Sequence, residues 1–300
     1  MVTRAESGFY TVLLDDGSRV RCRLRGRLKQ GRADVVSLVT IGDRVRVTLA
    51  GDDDGNVEEV LPRRTELVRR AAGPGRKRWL SQALAANLDL LVVVTSIVAP
   101  EFNAARLDRF LVVAEDAEIP PAICLNKCDL AARPEIAEAL APFTRTGYPM
   151  ILTSAVSGQG LPELRTLLEG HRSAFVGASG AGKSSLLNAL LPGAAQRTGD
   201  VNSTSGRGRH TTTVAQLVPL DASTWLADTP GLRELSPWGL QRDRLPWLFP
   251  EIRLAIEEPC RFPACTHRSE PGCRVLEAVE KGRMAESRHS SYVKLWDEAE

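Results

Sequence analysis

Gly177-Ala178-Ser179-Gly180-Ala181-Gly182-Lys183-Ser184 reads G-x-x-x-x-G-K-[ST], the spacing of a phosphate-binding loop. Ala174-Phe175-Val176 upstream can form a short buried strand, and Ser185 to Leu191 downstream can form a helix with an apolar face. That strand–loop–helix setting gives the pattern its meaning. Glycines let successive backbone N–H groups turn inward around phosphate oxygens, where a side chain would block them. Lys183 reaches for β- and γ-phosphates in such a loop, and the Ser184 hydroxyl for Mg²⁺. The plain alternative is a glycine-rich turn with a chance lysine.

Working outward, the N-terminal side supplies a base reader. Leu88 to Thr95 is a continuous apolar run of the kind a buried parallel strand shows, and Phe102 to Glu118 alternates like a helix with Arg106, Asp108 and Arg109 outward. Ala122 to Leu125 is a second buried strand, ending in Asn126-Lys127-Cys128-Asp129, an N-K-x-D tetrapeptide. Open α/β sheets place ligands at such strand ends. Asp129 can accept from guanine N1–H and N2–H₂ together, a pairing adenine lacks. Asn126 can read the other base edge, and the Lys127 stem can lie over the ring. A strand-end turn with a stabilising Asn is the alternative. Pro149 to Leu152 is a further strand, and the Ser154-Ala155 turn after it can bring backbone N–H groups to the base.

The C-terminal side supplies the switch elements. Ser205 to Thr213 is polar and glycine-bearing, suited to a loop that offers Thr211, Thr212 or Thr213 to Mg²⁺. Asp228-Thr229-Pro230-Gly231 is D-x-P-G after the strand Thr224 to Ala227. Asp228 would act on Mg²⁺ through a water, and the Gly231 N–H would sense the γ-phosphate. The position after Gly231 is Leu232, which cannot hydrogen-bond an attacking water. His210 is the candidate to orient that water; contact with RNA and capping of the loop are its other readings.

Residues 1 to about 61 read as short strands: Phe9–Leu14, Arg19–Leu24, Arg44–Leu49 and Val57–Leu61. Turns are expected at Asp15-Asp16-Gly17 and across Asp52-Asp53-Asp54-Gly55-Asn56. This spacing suits a small barrel such as an OB-fold. Arg19, Arg21, Arg23, Arg25 and Arg27 alternate with Val20, Cys22, Leu24 and Leu28, with Gly26 interrupting. Period two puts the guanidiniums on one face, suited to a phosphate backbone or simply to solvent. Pro62 to Arg78 is basic and broken by Gly73-Pro74-Gly75, and reads as a linker.

Near the C-terminus, Cys260, Cys265, His267 and Cys273 stand as C-x₄-C-x-H-x₅-C. Three thiolates and an imidazole suit a closed tetrahedral Zn²⁺ site of structural type. A zinc hydrolase, which would keep a water-bound position, and a set of unligated cysteines are the alternatives. Arg274 to Glu286 and Ser290 to Glu298 read as helices on this knuckle, with Val275, Leu276, Val279, Tyr292, Leu295 and Trp296 as core candidates. Over 300 residues the chain is 43% hydrophobic and 25% charged with a net charge of +2, a globular composition, so affinity for nucleic acid has to come from local clustering. No apolar run approaches a membrane span, and Met1 to Asp16 lacks the pattern of a secretory leader, so a cytoplasmic protein is expected.

In the usual GTPase order the phosphate loop comes first; here the base reader and Ser154-Ala155 precede it. This order marks a circularly permuted GTPase. With an arginine-bearing barrel before it, Gly208-Arg209-His210-Thr211-Thr212-Thr213 within it and the cysteine cluster behind, the whole chain resembles the ribosome small-subunit-dependent GTPase A (RsgA) family. The resemblance implies a multidomain fold: an N-terminal OB-fold β-barrel binding RNA (1–64), a basic linker (65–79), a central α/β circularly permuted P-loop GTPase (80–236), and a C-terminal zinc-binding helical module (237–300). It implies a late-acting assembly factor of the small (30S) ribosomal subunit and its 16S rRNA, beside other assembly factors and away from membranes. GTP/GDP, Mg²⁺ and one structural Zn²⁺ are the implied cofactors. The nucleotide would be held by Asn126, Lys127, Asp129, Ser154, Ala155, Gly177 to Ser185, Thr211 to Thr213, Asp228 and Gly231, with Lys183 and His210 catalytic. A GTP-controlled RNA-binding switch without turnover is the second reading; Asp129 disfavours an ATP-dependent enzyme.

Overall fold

A computed structural model of the chain describes residues 1–6, 8–25, 38–51, 53–72, 79–191, 214–229, 232, 235 and 239–300. From the N-terminus run β1 (Val2–Glu6), β2 (Phe9–Leu13), β3 (Arg19–Leu24), β4 (Val45–Leu49), β5 (Asp54–Val60), β6 (Glu66–Ala72) and β7 (Trp79–Ala86). Then come β8 (Leu90–Ser96), α1 (Ala104–Asp116), β9 (Pro121–Asn126), α2 (Arg133–Leu140), β10 (Met150–Leu152), α3 (Leu161–Leu168) and β11 (Arg172–Val176). The C-terminal third adds α4 (Lys183–Leu190), β12 (Ala215–Pro219), β13 (Trp225–Asp228), α5 (Pro250–Ala255), α6 (Arg274–Glu280) and α7 (Glu286–Glu298). The chain makes two compact units. One holds Met1–Val92, Leu161–Val176 and Lys183–Leu235; the other holds Val93–Gly160, Gly177–Gly182 and Ser236–Glu300.

In the first unit the strand order is β11-β13-β12-β1-β2-β3-β5-β4. Its β1 to β5 part has the OB-fold arrangement, antiparallel except for the parallel pair β3 and β5. The barrel closes where Val2 N–H donates to Asp43 O at 2.8 Å and Gly42 N–H donates to Val2 O at 2.9 Å. Val20 and Cys22 point inward, onto Val2, Tyr10, Val12, Val39 and Val57. Arg19, Arg21, Arg23 and Arg25 point outward, as the alternation predicts; Arg27 lies outside the described residues. The first turn forms as expected, with the Asp16 carboxylate accepting from Ser18 N–H at 2.8 Å. The second is shorter than expected. Asp54, Gly55 and Asn56 belong to β5, and the hairpin closes with Ala50 N–H on Asp54 O at 2.8 Å.

The basic stretch expected as a linker is ordered on both sides of its glycines. β6 and β7 pair antiparallel from Glu66↔Ala86 to Ala72↔Trp79. Just before β8, Asp89 accepts from Arg172 N–H at 2.9 Å, from its guanidinium at 3.0 Å, and from Arg64. Burial opposes ionisation, yet these bonds outweigh it and hold the Asp89 carboxyl at about 2. The pair fixes the first residue of β11, whose last residue, Val176, leads into the phosphate loop.

In the second unit β9 pairs parallel with β10, Leu125 opposite Leu152. α1 is N-capped by Asn103, whose side chain accepts from Arg106 N–H at 2.8 Å. Asp108 is not outward as expected. It is fully buried and accepts from Arg288 at 2.6 Å, while Arg288 binds Glu251 through two nitrogens at 2.8 and 2.7 Å. The guanidinium also lies 4.9 Å from the Phe249 ring centre and 5.4 Å from that of Phe143. Burial pushes the Asp108 carboxyl up, against the pull of Arg288.

The helix expected over Arg274–Glu286 stops at Glu280. Gly282 takes a left-handed φ of 63°, and the N–H groups of Arg283 and Met284 both donate to Ala278 O. This reversal drops Met284 into the core with Val275, Tyr292 and Leu295, and lets α7 begin at Glu286 instead of Ser290. Leu276, Val279 and Trp296 pack at that core's edge. Among the described residues no helix is long and apolar enough to cross a membrane.

Arg288→Ala strands two carboxylates in the interior, and breaking a buried ion network this way costs about 3–5 kcal/mol. Urea unfolding should show a loss of that size. A single ammonium cannot serve both acids with Arg geometry, so Arg288→Lys should recover little. A loss under about 1 kcal/mol would mean the triad is dispensable.

Candidate functional site

The phosphate loop leaves β11 at Gly177 and enters α4 at Lys183. Gly177 has φ 135°, and a Cβ there would overlap the Val94 carbonyl oxygen of β8. Gly182 has φ 96°, and a Cβ there would overlap the Asn126 amide nitrogen. Ala181 is buried between them, its N–H on Ala178 O at 3.2 Å. The loop is therefore pressed against β8 and the end of β9, and two of its residues can only be glycine.

Asn126 holds the neighbouring loops together. Its Nδ2 donates to Ala181 O at 2.9 Å, and its Oδ1 accepts from Thr153 Oγ1 and Ala155 N–H, each at 3.2 Å. The side chain is buried, so the expected reading of a base edge gives way to a positioning arrangement. Ser154-Ala155 also differs from expectation: Ser154 N–H donates to Gln159 O at 2.9 Å, and Ala155 N–H is on Asn126. Both amides are engaged within the protein. Lys127 takes a left-handed φ of 63°, and its Nζ donates to Ala99 O, which lays its stem along the loop. Asp129 follows in a 3₁₀ turn (Cys128–Leu130) and is exposed, open to a base.

Lys183 and Ser184 open α4, whose N-terminus favours anions. They line a cavity of about 30 Å³ with Asp228 and Thr229 at the end of β13, closed by Phe175, Leu187, Leu226 and Leu232. Thr229 Oγ1 is buried there without a hydrogen-bond partner among the described residues. Leu232 is buried on the wall of this cavity. An orphaned hydroxyl beside Ser184 and Asp228, at the N-terminus of α4, fits the phosphates of a nucleotide with their Mg²⁺. Ser179, Gly180 and Ser185 complete the loop and the first helical turn. His210, Thr211, Thr212, Thr213 and Gly231 lie outside the described residues.

Cys260, Cys265, His267 and Cys273 converge, their ligand atoms all within 4.8 Å of one another. His267 Nδ1 lies 3.6 Å from Cys260 Sγ and 3.5 Å from Cys273 Sγ. Tetrahedral zinc with Zn–S of about 2.3 Å and Zn–N of about 2.0–2.1 Å sets S···N at about 3.6 Å. Burial lowers the His267 imidazole pKa, favouring the neutral form that ligates metal. Burial first, then the adjacent Cys273 and Cys260, push the Cys265 thiol up to about 12 against the His267 amide, so a cation has to drive its ionisation. Four donors leave no open position.

Three supporting residues escaped the sequence reading. Thr153 orients Asn126 and is fully buried; its place at the end of a strand beside Ser154-Ala155 was the available signal. Thr229 is the x of D-x-P-G. Glu270, the one acid between His267 and Cys273, accepts from the N–H groups of Thr266, Arg268 and Ser269 at 2.7, 3.0 and 3.1 Å and so folds the metal loop.

The RsgA GTPase family profile matches residues 60–238, and the RsgA N-terminal domain profile matches residues 1–57. The small ribosomal subunit biogenesis GTPase RsgA of Gemmatimonas aurantiaca is 41% identical, over 99% of this chain and 96% of its own. Its namesake in Chlorobaculum tepidum is 38% identical over 99% and 96%. Among solved structures, YjeQ from Thermotoga maritima superposes with a TM-score of 0.78 at 33% identity, covering 99% of this chain and 96% of that one. YloQ, described as a circularly permuted GTPase, superposes at 0.74 with 29% identity, covering 99% and 93%.

Asn126→Ala removes three hydrogen bonds of about 1 kcal/mol each and leaves their partners unsatisfied. Guanine nucleotide affinity, read by fluorescent GDP titration, should fall at least about tenfold. Gly182→Ala should do the same through overlap with Asn126. In the double variant that overlap is gone, so its loss should be smaller than the sum of the two. Additive losses would show that the residues act independently.

Proposed function

The chain belongs to the RsgA GTPase family, and on that premise we propose that it hydrolyses GTP to GDP and phosphate on the small (30S) ribosomal subunit, late in that subunit's maturation. The observation that carries this reading is the bond from Asn126 to Ala181, which ties the guanine tetrapeptide to the phosphate loop. The relatives' printed name supplies the subunit.

Asp129 accepts from guanine N1–H and N2–H₂, and the Lys127 stem, tethered at Ala99, lies along the ring. Asn126 acts through the loops it holds. The phosphate-loop N–H groups and Lys183 surround the β- and γ-phosphates, opposing charge as it develops. Ser184 would hold Mg²⁺ directly and Asp228 through a water, and the ion would supply positive charge against the phosphates. By motif, a threonine of Thr211 to Thr213 would join them, and the Gly231 N–H would sense the γ-phosphate. Leu232 is buried and apolar and cannot orient the attacking water, so His210 is the candidate that would do so.

The arginine row of β3 supports contact with 16S rRNA. Arg21 and Arg23 lie 3.9 and 4.7 Å from the Phe9 ring centre, which gathers two exposed guanidiniums on one strand face. Arg25 is paired with Glu58 at 2.8 Å and contributes less. Cys260, Cys265, His267 and Cys273 hold one structural Zn²⁺. A role in ribosome assembly supports a cytoplasmic protein.

Because Leu232 stands where water-orienting side chains occur, a GTP-controlled RNA-binding switch without turnover is the competing reading. Phosphate release over many turnovers decides between them. Purified 30S subunits should raise turnover well above the basal rate, 50S subunits should not, and His210→Ala should lose the stimulation while keeping GTP affinity. Turnover that stays basal with 30S subunits leaves the switch; stimulation that survives in His210→Ala removes His210 from the reaction.

Metal analysis should find about one Zn²⁺ per chain. Chelation under mild denaturant should unfold the C-terminal module first, because metal binding and folding are linked in such modules. A metal-free chain with an unchanged melting profile would refute the zinc site.

A further inference from the structure

A cavity of about 340 Å³ opens in the second unit, away from the nucleotide loops. It is lined by Arg145, Glu251, Leu254, Ala255, Ala278 and Arg283. That volume falls within the roughly 300–1,000 Å³ of small-ligand pockets. Its apolar lining, taken as the floor, is Leu254, Ala255 and Ala278, two of the three without branched bulk. Leu254 is 63% exposed, large for an aliphatic side chain in a folded unit.

The charges around this floor are unevenly matched. Six arginines of the same unit, Arg109, Arg244, Arg253, Arg268, Arg274 and Arg288, are paired to acids. Arg145 and Arg283, like Arg106, Arg133, Arg242 and Arg261, have no acid partner among the described residues, and of these six only Arg145 and Arg283 line this cavity. Each is presented by a fixed backbone. Thr146, next to Arg145, is buried and bonds Phe143 O through both its N–H and its hydroxyl, at 3.2 and 2.7 Å. Arg283 N–H donates to Ala278 O at 2.7 Å. The acid in the wall, Glu251, has both oxygens on Arg288, so it is compensated from behind.

We propose that this cavity binds a nucleotide unit, its planar ring on the Leu254–Ala255–Ala278 floor and its phosphate between Arg145 and Arg283. Guanidiniums pair with phosphate oxygens through parallel N–H donors, and a flat apolar floor takes a base face regardless of sequence. An acidic peptide is the less fitting occupant, since a branched anchor residue needs depth that two alanines and an exposed leucine do not wall in. The unit comes either from a free nucleotide or from a single-stranded RNA. Arg145 belongs to the segment before β10 and Arg283 to the turn after α6, so the occupant would bridge the α/β and C-terminal parts of one compact unit.

The test uses the full-length protein saturated with GDP, which fills the guanine site, and adenine probes, which that site does not favour. Calorimetric titration is made with adenosine monophosphate and, separately, with a single-stranded RNA of six adenylates. Binding of at least one probe should weaken at least tenfold in Arg145→Glu/Arg283→Glu and again in Leu254→Asp. All three side chains are exposed, so basal GTP turnover should be unchanged in both variants and reports that they fold. Variant-sensitive binding of the monophosphate assigns a free nucleotide; variant-sensitive binding of the RNA alone assigns a strand. Binding of neither probe, affinities that both variants leave unchanged, or binding only of an acidic leucine-bearing peptide overturns the proposal.

Discussion

One buried carboxamide, that of Asn126, sets the relation among three loops that lie apart in sequence. It donates to the phosphate loop at Ala181 and accepts from Thr153 and Ala155. Only an amide can do both at this reach. Aspartate would lose the donor and bury a charge, and glutamine is a methylene too long for a space already in contact with Gly182. In a permuted chain the guanine tetrapeptide precedes the phosphate loop by some fifty residues, and a side-chain bond holds together what the chain order separates. Gly182 is the other half of the constraint, since any Cβ there would displace the amide.

Much of this was legible in the sequence because its signals are local. Alternation along Arg19 to Leu24 gave the barrel strand and its exposed arginines, and the apolar runs at Leu90 and Pro121 gave buried strands, the second parallel to β10. The cysteines and histidine announced their cluster through chemistry that few folds use otherwise. What could not be read depended on partners. Asp108 looks like an outward helix residue by period; its burial is decided by Arg288, 180 positions away. The amides of Ser154 and Ala155 look available until Gln159 and Asn126 take them. Glycines and basic residues suggested a linker over 65–79, yet β6 and β7 pair strongly enough to override composition. Roles resting on His210 and Gly231 lie outside the described residues and stand on motif alone.

A net charge of +2 conceals three different uses of arginine. On β3 they are exposed, and two are gathered at Phe9. At Arg288 the guanidinium is buried, where its planar fork answers two acids at once. At Arg145 and Arg283 it faces a cavity without an acid partner among the described residues. Surface pairs such as Arg268 with Asp297 add little stability on this scale. Solvation therefore separates them: charges that hold the fold are dry, and charges suited to phosphate are wet.

The C-terminal module shows why dry polar contacts are needed. α5 has six residues and α6 seven, too short to be stable alone. They pack on a shared apolar core, and directional contacts fix the geometry within it. Phe249 meets Tyr292 edge-on at 5.6 Å, Tyr292 OH donates to Thr266 O at 2.8 Å, and His289 donates to His267 O at 2.8 Å. Each of these joins α7 to a neighbouring segment, two of them to the cysteine–histidine loop. Arg288, on the same helix, reaches α1 and α5. A helix fixed by bonds of such narrow geometry has one register against its neighbours, because a shift of one residue would break the aromatic, metal-loop and ionic contacts together. Apolar packing alone tolerates such slips at lower cost. The buried triad thus gives up some stability relative to a hydrophobic isostere, and the fold gains a single position for α7.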